Sequence, residues 1–228
     1  AEGADLIDVG GESTRPGSLA VSEEEELRRV LPVIRGLRGR ALISIDTSKA
    51  SVARAALEAG ADIINDVTGR LGDPHMAEVA ASTRAGVVVM HMQGTPRTMQ
   101  ESPHYEDVVC EVGDFFRQAL ARALPSGMDP MSMALDPGIG FGKTPGHNRQ
   151  LLSSLPSFRE FDRPLVIGVS RKSFLGWLAG SADPADRLWP GVCLTSLCRE
   201  RGASIFRVHD VQPHREALRM TEAIIGDA

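Results

Sequence analysis

Seven short apolar, β-branched runs alternate along this chain with amphipathic stretches, the runs are apolar on both faces, and no Gly-rich dinucleotide fingerprint accompanies them. Together these predict an α/β fold, a TIM (β/α)₈ barrel of which seven βα units are present. Strands buried on both faces need helices to cover them, and repeated βα units without a nucleotide fingerprint favour a barrel over an open dinucleotide-binding sheet. The missing unit would be the first or the last. The chain begins at Ala1 and enters its first strand almost at once, which reads as an N-terminally truncated barrel in a single domain over 1–228.

The elements follow in order from local composition. Strands are expected at 4–9 (ADLIDV), 42–45 (LISI), 62–67 (DIINDV), 86–92 (GVVVMHM), 133–135 (MAL), 164–169 (PLVIGV) and 204–208 (SIFRV). Helices are expected at 23–37, 51–59, 74–82, 108–124, 148–158, 186–200 and 213–225. Ser51 and Asn148 are expected N-caps, Gly60 and Gly202 C-terminal stops, and Pro74 and Pro213 first-turn prolines, while Pro190 would delay the start of its helix. No low-complexity segment divides the chain.

A charged fraction of 24% and a net charge of −5 over 228 residues lack the basic excess of a nucleic-acid binder. The longest apolar runs are far short of a membrane span, so neither nucleic acid nor membrane is an expected partner, and a cytoplasmic location follows by default. Cys110, Cys193 and Cys198 are odd in number and have no CxxC spacing, which points to buried reduced thiols.

In parallel barrels chemistry sits at the C-terminal strand ends. Those ends carry Asp8, Glu12, Thr14 and Arg15, then Asp46, Asn65 with Asp66, His91 with Met92, Asp136, Arg171 with Lys172, and Arg207, His209 and Asp210. Singly, each has an ordinary explanation: Asp46 could cap a turn, Asn65 could close one, and Lys172 or Arg207 could be a solvated charge. His91 is read as a buried, hydrogen-bonded core histidine. Chance would not confine ionisable groups to one end of every strand. Asp46, Asp136 and Asn65 suit a flat heterocycle with an amidine-like edge, because carboxylates accept parallel N–H bonds and an amide both donates and accepts. Arg15, Lys172, Arg207 and His209 would balance carboxylate or phosphate. The stretch LDPGIGFGK has the glycine content of a phosphate loop but is read as lacking the GK[ST]-helix ending, so no P-loop is assigned.

Six ordered motifs, DVGGESTRPG, SIDTS, IINDV, LDPGIGFGKTPGHN, GVSRKSF and RVHDV, resemble the dihydropteroate synthase family of folate biosynthesis over the whole chain. The resemblance implies condensation of 6-hydroxymethyl-7,8-dihydropterin diphosphate with p-aminobenzoate, releasing pyrophosphate with Mg²⁺ present. It assigns Asp46, Asn65, Asp136 and Lys172 to the pterin ring, with Met92 and Phe141 as apolar walls. Arg207 and His209 would take the diphosphate, and Thr14, Arg15, Pro16 and Ser173 the p-aminobenzoate. Asp46, Asp136 and Lys172 would carry catalysis, with sulfonamides as inhibitors and a homodimer through the barrel helices, Trp189 among them. The family's Mg²⁺-ligating Asn precedes what is Ala1 here, so no metal ligand is assigned in this chain. The alternatives are a pterin-dependent methyltransferase, a pterin-binding paralogue without activity, and a Schiff-base aldolase using Lys172.

Overall fold

The strands are β1 (Leu6–Gly10), β2 (Leu42–Asp46), β3 (Ile63–Asp66), β4 (Gly86–Met90), β5 (Met133–Asp136), β6 (Leu165–Ile167) and β7 (Ala203–Phe206), in a computed structural model that describes residues 2–14, 17–69 and 73–226. They pair in parallel and in sequence order within one seven-stranded sheet. Each parallel neighbour requires the chain to cross back, and helices make those crossings: α1 (Glu23–Leu37), α2 (Ala50–Ala59), α3 (Met76–Thr83), α4 (Val108–Ala123) and α5 (Pro145–Ser153) each follow one strand. Two helices, α6 (Ser173–Ala179) and α7 (Leu188–Glu200), separate β6 from β7, and α8 (Val211–Ile225) follows β7. This is the expected seven-unit barrel. Its edges are β1 and β7, and among the described residues no strand pairing joins them. Side chains bridge the seam instead: Arg207 Nε donates to Asp8 at 2.6 Å, and the Val211 N–H donates to Glu2 at 3.1 Å.

Two apolar layers form because strand side chains alternate between faces. The outward residues Ile43, Ile45, Ile64, Val87 and Val89 are buried with Val30, Ile34, Val52 and Ala56 of α1 and α2. Leu135, Leu165, Ile167 and Ala203 pack likewise with Phe116, Leu151 and Phe158. The inward layer is small: Val88, Ala134 and Val166, with Ile63 and Ile205 against them. Burial on both faces explains why the strands read as continuous apolar runs.

Several boundaries differ from expectation for identifiable reasons. Ser51 is not a cap, since α2 starts at Ala50 after Lys49, which makes no side-chain capping bond. Asn148 is not a cap either. Thr144 caps α5 in a capping box with His147, Pro145 occupies the first turn, and Asn148 is buried inside the helix. The GK[ST]-helix ending read as absent from LDPGIGFGK is therefore present, as Gly142, Lys143 and Thr144 run straight into α5. The expected helix at 148–158 divides into α5 and a 3₁₀ segment, Leu155–Phe161. Strand β4 ends at Met90 rather than 92, and α3 begins at Met76 rather than at Pro74. Helix α6 was not expected, because SFLGWLA is too short to show a helical period. Of the cysteines only Cys198 is buried; Cys110 and Cys193 are exposed free thiols.

Candidate functional site

Two residues beyond the inward apolar layer, on the same face of each strand, the chain changes character. Ile63, Ala134 and Ile205 line the barrel interior, and Asn65, Asp136 and Arg207 follow them at a spacing of two. On β2, Ser44 and then Asp46 do the same, and Asp46 lies level with Asn65 in the β2–β3 pairing. Strand alternation alone thus brings the four residues to one mouth, as the sequence predicted.

Asp8 organises the β1 side. It accepts from Ser44 Oγ at 2.5 Å, from Asn65 Nδ2 at 3.3 Å and from Arg207 Nε at 2.6 Å. Because a carboxylate only accepts, these bonds orient the Asn65 amide with its nitrogen toward Asp8. Arg207 also donates to Asp46 Oδ2 at 3.0 Å, while Asp46 Oδ1 is buried with no hydrogen-bond partner. Burial, reinforced by the nearby Asp8 carboxylate and opposed by Arg207, raises the Asp46 carboxyl to about 7. A buried acceptor without a protein donor is open to a donor from a ligand or from water.

Across the mouth, Asp136 accepts the Gly138 N–H at 2.7 Å, and burial raises its carboxyl against the pull of Lys172. Lys172 donates to the Ile139 carbonyl, and its ammonium lies 4.6 Å from the centre of the Phe141 ring. Burial lowers the Lys172 ammonium to about 8, with Asp136 opposing. Phe141 packs on Val67, Met90, Met92 and Met99, so the two expected apolar walls, Met92 and Phe141, form one wall. His209 stands two residues past Arg207, its Nδ1 3.2 Å from Ser170 Oγ.

Thr14 lines a cavity of about 270 Å³ together with Glu12, Asp46, Thr68 and Arg97. Ser173 is not among its lining residues; it is the exposed first residue of α6, followed by buried Phe174 and Leu175. Arg15 and Pro16 lie outside the described residues. A second, open cleft of about 640 Å³ occurs where the strands begin, between Arg38, Arg40, Leu42 and Asp62. It lies at the end of the barrel opposite the polar mouth.

Sequence reasoning missed three residues. Lys49 Nζ pairs with Glu12 and, at 2.5 Å, with Glu26, which is fully buried and also accepts from Thr47 Oγ1 at 2.7 Å. Glu26 reads as one of four solvated glutamates in SEEEE, although its spacing to Val30 and Ile34 places it on the apolar stripe of α1. The third is Lys143, buried at 2% exposure behind Asp136.

The pterin binding enzyme family matches residues 1–209. The dihydropteroate synthase of Escherichia coli K12 is 47% identical over 226 residues, covering 98% of this chain and 79% of the relative. The Yersinia pestis dihydropteroate synthase, solved with a sulfonamide drug, superposes with a TM-score of 0.94 at 44% identity, covering 99% of this chain and 82% of that one. The Xanthomonas albilineans dihydropteroate synthase, solved with 4-aminobenzoic acid, gives 0.92 at 45% identity, covering 98% and 80%. The chain belongs to the pterin binding enzyme family, and these relatives over nearly its whole length are dihydropteroate synthases.

Proposed function

We infer that this chain catalyses the family's reaction, joining a 6-hydroxymethyl-7,8-dihydropterin diphosphate to p-aminobenzoate to form dihydropteroate and pyrophosphate. The observation that carries this is the buried, partnerless Asp46 Oδ1 in a mouth shared with Asn65, Asp136 and Lys172. In this reading Asp46 and Asp136 accept ring N–H groups, Lys172 donates to a ring acceptor, Asn65 offers its amide carbonyl, and Met92 and Phe141 cover the ring face. Arg207 and His209 take the diphosphate, which would draw Arg207 from its bonds to Asp8 and Asp46. Thr14, Arg15, Pro16 and Ser173 take the p-aminobenzoate, and arylsulfonamides occupy the same place.

The C–O bond breaks with its electron pair leaving on the pyrophosphate oxygen, and the pterin methylene cation that remains is stabilised through the ring by buried Asp46 and half-buried Asp136. The arylamine nitrogen then forms the C–N bond and gives up a proton to the released pyrophosphate or to solvent. Lys172 serves to bind and polarise, not as a nucleophile. Mg²⁺ would be carried on the diphosphate, neutralising charge on the leaving group; among the described residues no three His, Cys, Asp or Glu side chains converge to hold a metal. A homodimer through the late helices belongs to the same proposal, since Trp177 and Trp189 are 60% and 71% exposed. So does a cytoplasmic location; among the described residues no helix is long and apolar enough to cross a membrane. The test is to incubate the chain with both substrates and Mg²⁺ and to follow dihydropteroate by mass spectrometry and pyrophosphate by a coupled assay. Equimolar formation of both is expected. Pyrophosphate without dihydropteroate would reduce the reading to a hydrolase, and neither product to a binding protein.

A further inference from the structure

The Lys143 side chain folds away from solvent and under the β5–α5 loop that follows Asp136. Its Nζ donates to the Phe141 carbonyl at 3.0 Å and the His91 carbonyl at 3.3 Å, and lies 3.0 Å from His91 Nδ1. An ammonium has three N–H groups, and here there are three acceptors. Two belong to the end of β4 and one to the β5–α5 loop, so the cation staples one strand's exit to the next. The loop needs that staple because it runs against β4: a Cβ on Gly138 would fall 1.9 Å from the His91 carbonyl oxygen, a fit that only glycine, here at φ +67°, permits. On the far side of the same turn, the Gly138 N–H reaches Asp136 and the Ile139 carbonyl receives Lys172.

We propose that Lys143 is a positioning residue for pterin capture, acting through the β5–α5 loop to aim Asp136 and Lys172 at the ring without touching it. A lysine at the end of a glycine-rich loop would ordinarily point at a phosphate. This one is turned inward. Burial lowers its ammonium to about 7, with the Asp136 carboxylate raising it and Lys172 lowering it further; His91 and Tyr105 are its other close neighbours, and His147 feels its charge. Such a residue costs stability, which a loop with no positional task would not need.

The proposal rests on the pterin reading of the mouth, and Lys143→Met tests it by removing the donors while keeping the stem. Calorimetric titration of the folded variant is expected to show pterin diphosphate bound at least tenfold more weakly, with the KM for p-aminobenzoate changed less than threefold. Amide hydrogen exchange at Gly138 and Gly140 is expected to accelerate. Unchanged pterin affinity, or equal losses for both ligands, would overturn the proposal, the second result indicating a purely structural lysine. If the unsubstituted chain binds no pterin, the function proposed above fails instead, and exchange at Gly138 and Gly140 alone decides the staple: faster in the variant supports it, unchanged refutes it. If Lys143→Met does not fold, Lys143→Gln, which keeps two N–H donors, is measured with the same ligands and the same criteria.

Discussion

The β5–α5 loop and the β1–α1 loop face the same mouth but are held in opposite ways. In the first, four successive carbonyls are taken by side chains: Ile139 by Lys172, Gly140 by Gln100, Phe141 by Lys143 and Gly142 by Tyr105. The N–H groups of Gly138 and Gly140 go to Asp136 and Asn148. In the second, the anchors cluster at the base, where Arg29 donates to the Gly11 carbonyl at 2.8 Å and Lys49 holds Glu12. Beyond Glu12, Ser18 bonds Ser13 within the loop itself, and Leu19 is 83% exposed. A loop with four successive carbonyls tied to side chains is preorganised by those bonds, and among the described residues of the β1–α1 loop the ties made by Arg29 and Lys49 fall at Gly11 and Glu12. On the proposed function the more heavily tied β5–α5 wall would serve the pterin and the β1–α1 wall the p-aminobenzoate, a division that substitutions on each side can test.

The largest effect expected from this contrast comes from the β5–α5 side. Asp136→Asn removes a half-buried charge-assisted acceptor, and the loss should fall on the pterin diphosphate, about 1.5–3 kcal/mol by calorimetry, with p-aminobenzoate little affected. Equal losses for the two ligands would erase the division between the loops.

A smaller effect is expected from the β1–α1 side. Glu12→Gln cuts the loop's tie to Lys49 but leaves the Lys49–Glu26 pair in place. Since Glu12 and Lys49 are both partly exposed, the lost ion pair is worth at most about 1 kcal/mol of stability, and the melting temperature should barely move. Positioning is more sensitive than stability, so the KM for p-aminobenzoate should rise about three- to tenfold while pterin affinity stays constant. A fall in pterin affinity would mean that the two loops are coupled.

These two sides were unequally legible in the sequence. The inward-facing residues Asp46, Asn65, Asp136 and Arg207 could be read because strand alternation fixes which side chains face inward once the strands are found. The supports could not. Lys49 reaches carboxylates at Glu12 and Glu26 and Lys143 reaches His91, 52 residues away, and nothing in composition separates an inward lysine from a solvated one. The short helix α6 escaped because seven residues give fewer than two full helical repeats. Glu26 is the instructive miss. Its position on the apolar stripe of α1 was available from spacing to Val30 and Ile34, and a carboxylate on an apolar stripe demands a buried partner.

The smallest effect concerns Asp46, which stands between the two loops. Its carboxyl is raised to about 7 by burial and by Asp8, so the free protein holds a proton there below neutral pH. In the folding equilibrium a raised carboxyl contributes stability that is fully present below its unfolded pKa of about 4 and lost as pH rises through about 7. In binding the sign reverses. Ring N–H groups donated to the carboxylate favour its charged form, so pterin binding near pH 6 should expel a fraction of one proton, and binding near pH 9 none. Affinity should therefore improve by less than about tenfold per pH unit between 6 and 7, the ceiling for one proton. Heats measured in buffers of different ionisation enthalpy count that proton directly, and Asp46→Asn should abolish it. A proton count that survives the substitution would place the titrating group elsewhere, on Lys143 or Lys172 at the β5–α5 wall.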